Sequence, residues 1–320
     1  ALDRCFHANH HKMIAPFPAY KRLHDLFVSL EAQGDEALAY LSDQYIYDLL
    51  MWFHLSWTGE PLRRECESIP RLMTMSSGFT RAHRLELCAL IGACIADIVP
   101  RYRKLAAGER VELSATLHCH PLAPLLIDFK SAHETLPDAP LPMAAEYPGG
   151  RERVMSHVRA ALESHARRFG ARPTGLWPAE GAISAPFLQL LAESGLKWAA
   201  SSESVLANCL RQHAARAFVR GQDLYRPYRA PSVAPGITCF FRDEHLSDLI
   251  GFEYSRWHGS DAAANFAHEI ESISSAAPKG ERPVVSVILD GENAWEHYPY
   301  NGFYFLSALY GLLESHPKIR

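Results

Sequence analysis

From residue 111 onward the sequence alternates short apolar runs with longer amphipathic ones. That rhythm constrains the fold more than any other feature. The short runs are VELSAT (111–116), TGLW (174–177), KWAAS (197–201), ITCFF (237–241) and VVSVIL (284–289). Runs of this length and composition read as strands. VELSAT alternates, with Val111, Leu113 and Ala115 on one face. Helical patterns fill the gaps at 151–169, 185–194, 203–213 and 261–275. The first two end at Gly170 and Gly195, where a left-handed residue can close a helix. A last helix spans 302–314, with Asn301 as its cap. Strands alternating with helices imply parallel βα units, with buried strands and helices over the sheet.

The first 110 residues read mainly as helix. Tyr20, Leu23, Leu26, Phe27 and Leu30 recur at helical spacing over 18–33, and Gly34 stops the pattern. DQYIYDLLMWFHLSW (43–57) is apolar nearly all round, so it must be buried, and Ser42 is placed to cap it. A third helix spans 80–105, with a kink at Pro100, and ends at Gly108. The chain thus reads as an α/β protein. One catalytic domain covers 1–320, helical over 1–110 and carrying its site on βα units over 111–320. The long irregular stretch 120–150 holds Pro121, Pro124, Pro137, Pro140, Pro142 and Pro148. Loops of that length are usually functional or disordered.

Composition narrows the function. The 320 residues are 48% hydrophobic with a formal charge of −4, which excludes a disordered chain and gives no electrostatic case for nucleic acid. No apolar run approaches the roughly 20 residues of a membrane span. The N-terminus has no signal-peptide core. The cysteines at 5, 66, 88, 94, 119, 209 and 239 are scattered and form no CxxC. They read as reduced thiols of a cytoplasmic protein, several buried as small apolar side chains.

The chemistry gathers where strands end. His118 and His120 follow the first run, Glu180 the second, Arg242, Asp243 and His245 the fourth, and Asp290 and Glu292 the fifth. In parallel α/β sheets the site lies at the carboxyl ends of the strands, so these side chains would ring one mouth. Glu180 and Asp290 make the best pair. Two carboxylates in different surroundings can act on an acetal as nucleophile and acid/base. Asp290 after an apolar strand would be half-buried, which raises a carboxyl pKa. Trp57, Trp177, Trp257, Trp295, Tyr298 and Tyr300 suit a sugar, because flat rings match pyranose faces. Core packing is an equal reading for Trp57.

A metal reading rests on the His7, His10 and His11 group and on HxH at 118–120. In an extended strand His118 and His120 point the same way, and Asp243 or His245 could complete a zinc site. No HExxH spacing is present, and His120 before Pro121 reads better as a hydrogen-bonding pocket wall. The expectation is therefore no metal and no cofactor. No GxGxxG, GxxxxGK[ST] or GxSxG occurs, so nucleotide-binding and serine-hydrolase readings lack support.

LWPAEGAIS around Glu180 and SVILDGENAWEHYPYNG around Asp290 resemble the two catalytic regions of glycoside hydrolase family 57. ATLHCHPLAPLL (115–126) resembles that family's strand-end region with a histidine-proline turn, and MWFHLSW (51–57) and FRDEHLSDLIGFEYSRW (241–257) resemble its amylase and amylopullulanase-like members. The resemblance implies an irregular (β/α)7-type barrel and a retaining hydrolase or transglycosylase of α-glucans. It puts Glu180 at the nucleophile position and Asp290 at the acid/base position. It also puts His120, Trp177, Arg242, Asp243, His245 and Trp257 in or near the glucan cleft, and implies an α-glucan or maltooligosaccharide partner. His118 and Glu292, from the strand ends, and Trp295 and Tyr298, from the aromatics, complete the expected substrate-binding set. The family's first-strand histidine-glutamine-proline motif is not found, and its C-terminal helical region has no counterpart, so the expected barrel is incomplete. The rival readings are a metal-dependent polysaccharide deacetylase-like hydrolase and a non-catalytic glucan-binding fragment.

Overall fold

A computed structural model describes residues 2–109, 111–213, 216–291 and 295–319. The chain divides into two compact units. Ala1–Ala96, Leu249–Ala267 and Asp290–Arg320 form one, and Asp97–Asp248 with His268–Leu289 form the other.

The first unit is helical. Pro18–Glu31 and Asp43–Ser56 pack with Ser68–Met75 and the start of Arg81–Ala107, a helix that continues through Pro100. Ser42 caps as the sequence suggests, its Oγ accepting from Tyr45 N at 3.2 Å. Ile14, Tyr20, Leu49, Met51, Leu55, Ile69 and Leu72 form the centre of the core. Each such side chain contributes roughly 1.5–3 kcal/mol by leaving water. Buried Asp48 is satisfied by Phe79 N at 2.9 Å, Gly78 N at 3.2 Å and Gln44 Nε2 at 2.8 Å. The last helix, Phe303–Ser315, is capped by left-handed Gly302 rather than by Asn301. Asn301 is itself left-handed, at φ 53°. A Cβ on Gly302 would stand 2.7 Å from the Trp295 ring, so the turn closes on a residue without one.

The second unit is built on a four-stranded mixed sheet in the order β1 (Gly175–Leu176), β2 (Trp198–Ser202), β4 (Thr238–Arg242), β3 (Tyr228–Arg229). β1, β2 and β4 run parallel, and β3 pairs antiparallel with the start of β4. Ala115 bridges Leu176, and Ser286 bridges Arg242, both parallel. Five segments therefore follow one another across the sheet in chain order: 115, β1, β2, β4, 286. The helices Gly150–Phe169, Ala185–Glu193 and Glu203–His213 fall where the sequence puts them. Val154, Val158 and Leu162 of the first and Phe187, Leu190 and Leu191 of the second share one core with Leu176, Ala199 and Phe241 of the strands.

Two expected strands shrink to single bridges. VELSAT pairs only at Ala115, and VVSVIL, the most strand-like run in the sequence, pairs only at Ser286. The reason for the second is geometric: 286 lies opposite Arg242, the last residue of β4, so 287–289 run past the end of that strand, where the chain turns into the helix Glu244–Asp248. The irregular stretch 120–150 contains the short helices Ala123–Ile127 and Ala132–Thr135. All seven cysteines are unbridged, but only Cys239 is fully buried. Among the described residues no helix is long and apolar enough to cross a membrane.

Candidate active site

Glu180 stands just beyond β1. Ala115 N donates to Gly175 O at 3.1 Å and Trp177 N donates to Ala115 O at 2.8 Å, which sets where the strand stops. The chain then turns tightly: Gly181 N bonds Pro178 O and Ala182 N bonds Ala179 O, both at 3.0 Å. Glu180 takes φ 54°, ψ 21° inside that turn. A left-handed L-residue costs roughly 1–2 kcal/mol. The turn is held from β2, where buried Ser201 donates its Oγ to Gly181 O at 2.6 Å. The Trp177 ring closes over Gly181, which a Cβ would bring within 3.0 Å of Cζ-side carbon Cη2. The product is an acid held rigidly in a strained turn, its side chain exposed beside a half-buried tryptophan.

The ends of β2 and β4 carry a charge cluster. Glu203 follows β2 directly, and Asp243 follows β4. Arg220 Nη2 bonds Asp243 Oδ1 and lies 3.3 Å from Glu203 Oε2. Asp243 also accepts from the Tyr225 hydroxyl at 2.9 Å and from Leu246 N at 2.8 Å. Burial raises the Glu203 carboxyl above its ordinary value, opposed by the nearby Arg220. Burial likewise pushes the Tyr225 hydroxyl up to about 12. Asp243 is only 1% exposed, so its carboxylate is engaged inside the protein and not turned to the strand-end surface. Glu203 and Arg220 escape the sequence analysis. The signal for Glu203 was present, since it follows KWAAS as the other acids follow their strands. Nothing local announces Arg220.

Arg242, the last residue of β4, turns toward the fifth segment. Its Nε donates to Ile288 O at 2.9 Å and its Nη2 to Asp248 Oδ1 at 2.8 Å. Asp290 lies two residues past Ile288. It is exposed, not half-buried, because the segment ahead of it has neighbours on only part of its length. Glu292 lies outside the described residues.

The remaining expected residues divide. His118 and His120 are exposed, but not on a strand: His120 N bonds Leu117 O at 3.0 Å, and Cys119 and His120 have φ of 61° and 51°. Two successive left-handed residues remove the same-side argument for a ligand pair. Among the described residues no three His, Cys, Asp or Glu side chains converge as a metal site would need. His245 is exposed on the short helix Glu244–Asp248. In the first unit Trp257 packs on Tyr254 at 5.3 Å, Tyr254 on Phe305 at 5.6 Å, Phe305 on Tyr298 at 5.5 Å and Tyr298 on Trp295 at 5.4 Å. The Trp257 ring keeps an open side, while Tyr298 is 3% exposed and donates its hydroxyl to Ile250 O. Tyr298 is therefore a core residue, as its packing from two sides requires. Trp295 is half-buried, with Nε1 on Gly291 O at 3.1 Å.

The model of glycosyl hydrolase family 57 matches residues 17–320. The chain belongs to this family. No curated protein sequence matches it. Several solved structures share the family 57 chain's fold at low identity, among them three enzymes. The α-amylase AmyC of Thermotoga maritima has a TM-score of 0.54 at 14% identity, over 87% of this chain and 58% of that one. The GH57-type branching enzyme of Pyrococcus horikoshii has 0.53 at 16%, over 85% and 55%. The GH57 branching enzyme of Thermococcus kodakaraensis, solved with glucose, has 0.56 at 13%, over 100% and 65%. This family 57 chain thus spans between half and two thirds of the length of these three structures.

Proposed function

We propose that the chain forms the catalytic part of a retaining glycoside hydrolase or transglycosylase of α-glucans, on an irregular (β/α)7-type barrel. The observation that carries this reading is Glu180, held exposed in a strained turn at a strand's carboxyl end within a family 57 chain. Strain of this kind collects at functional sites. The named activities of the structural relatives, amylase and branching enzyme, supply the substrate class.

In this reading a Glu180 carboxylate oxygen attacks the anomeric carbon of an α-glucosidic bond. The bond to the leaving oxygen breaks as protonated Asp290 gives that oxygen its proton. Water, or the hydroxyl of a second sugar, then attacks the same carbon and passes its proton to Asp290, and the Glu180 carboxylate departs. Trp257 offers an exposed ring to sugar, Trp177 a half-buried one, and His118, His120 and His245 offer exposed hydrogen-bonding groups.

The test is Glu180→Gln, assayed on maltooligosaccharides with and without EDTA. Turnover falls by at least about 10³-fold while glucan binding stays within a few fold. EDTA leaves the parent enzyme's rate unchanged. A Gln variant that keeps most of its activity overturns the assignment. EDTA-sensitive release of acetate from an acetylated oligosaccharide, with none of the maltooligosaccharide turned over, favours the deacetylase-like alternative.

A further inference from the structure

We propose that Arg242 and Ser247 are positioning residues for Asp290, acting through the backbone of Ile288. The inference rests on the reading of Asp290 as acid/base.

The segment 283–289 has one bridge to β4, so ladder hydrogen bonds do not fix its far end. The bridge bond runs from Asp243 N to Ser286 O at 2.8 Å. Beyond it two side chains of the stretch RDEHLSD (242–248) take over. Arg242 Nε donates to Ile288 O at 2.9 Å. Ile288 N donates to Ser247 Oγ at 3.2 Å, and the same hydroxyl donates to Asp243 O at 2.6 Å. Both backbone polar groups of Ile288 are therefore bonded to side chains. Fastening a residue on both sides fixes its place and its rotation, and only Leu289 separates it from Asp290.

Both side chains are already engaged in these contacts. Ser247 is 0% exposed, and both roles of its hydroxyl are filled. Arg242 is committed to Ile288 O and to Asp248 Oδ1. In this proposal these contacts, and not a sugar hydroxyl, are the role of Arg242. The consequence is chemical. A general acid must sit within hydrogen-bond reach of the leaving oxygen. A displacement of about 1 Å at a reacting group can cost about 10²-fold. Loosening Ile288 should therefore harm the step that needs a proton and spare one that does not.

The experiment compares two substrates of the same enzyme. A maltooligosaccharide leaves as a sugar hydroxyl and needs the acid. The matching α-maltooligosyl fluoride leaves as fluoride and needs none. Azide as acceptor removes the need for a base in the second step. For Arg242→Gln and Ser247→Ala, kcat on the glucan falls by roughly 10–10²-fold with KM within about twofold. Fluoride release in azide stays within about threefold of the parent, by the same argument. Arg242→Lys keeps the charge opposite Asp248 but presents no guanidinium Nε to Ile288, and should show the same split. If Ser247→Ala fails to fold, the partly exposed Arg242 variants carry the test alone. Equal loss on both substrates, or no loss on either, overturns the proposal. Asp290→Asn separates the two levels. If it too shows no split, the acid/base reading falls. If it shows the split and the Arg242 and Ser247 variants do not, only the positioning role falls.

Discussion

Ser201 Oγ, in the third residue of β2 to be fully enclosed, donates to the carbonyl of Gly181 at 2.6 Å. That bond ties the middle of the sheet to the turn in which Glu180 is held at positive φ. The hydroxyl is the tie between strand geometry and the candidate nucleophile.

Replacing Ser201 with Ala leaves the Gly181 carbonyl buried without that donor. An unsatisfied buried acceptor costs about 1–3 kcal/mol, which lowers the unfolding midpoint. The strained turn then relaxes, and kcat falls by about tenfold or more while the protein stays folded. Thermal unfolding and steady-state kinetics on the same preparation check both. Unchanged kcat would break the link between Ser201 and Glu180.

Gly175 has no room for a side chain. A Cβ there would stand 1.8 Å from Cε2 of Trp198. That ring is tethered, since Trp198 Nε1 donates to Glu112 Oε1 at 2.7 Å. Gly175→Ala must therefore push Trp198 aside and part β1 from β2. Overpacking of this kind costs typically 1–3 kcal/mol, so the denaturant midpoint drops clearly. Trp198 fluorescence should shift in the folded variant.

Asp223 gives the acid limb of stability. Arg216 grips its carboxylate with two bonds, at 2.6 and 2.8 Å, and Val219 N adds a third at 2.8 Å. The guanidinium hydrogen bonds, opposed by burial, hold the Asp223 carboxyl below its ordinary value. The unfolded chain thus binds the proton more readily, and stability rises with pH across that interval. The contribution is complete above the unfolded value near pH 4 and is lost as pH falls through the folded one. Asp223→Asn should lose about 1–2 kcal/mol at pH 7, toward the low end because Arg216 is half-exposed. The gap from the parent should close below about pH 3. Urea unfolding from pH 7 to pH 2.5 reads it directly.

Local pattern was enough for much of the architecture. The helices Pro18–Glu31, Asp43–Ser56, Gly150–Phe169 and Ala185–Glu193 are written in apolar spacing, in Ser42 and in the glycines that close them. The central strands β2 and β4 are written in short apolar runs, and the acids that follow β1 and β4 mark the sheet's carboxyl end. These features depend on neighbours in sequence, so a linear reading finds them.

Position across the sheet is a different matter. VVSVIL has the composition of a buried strand, yet its register carries 287–289 past the end of β4 at Arg242, and Asp290 comes out exposed. His118 and His120 alternate like strand residues, yet the backbone between them turns left-handed. Asp243 and Tyr298 look like cleft residues, yet partners distant in sequence draw them inward: Arg220 and Tyr225 for one, Ile250 and Phe305 for the other. The sequence by itself determined the βα rhythm and the two acid motifs, because periodicity and capping are local. Only the tertiary structure decided which strand-end groups face outward, because that depends on which buried polar groups must satisfy one another across the fold.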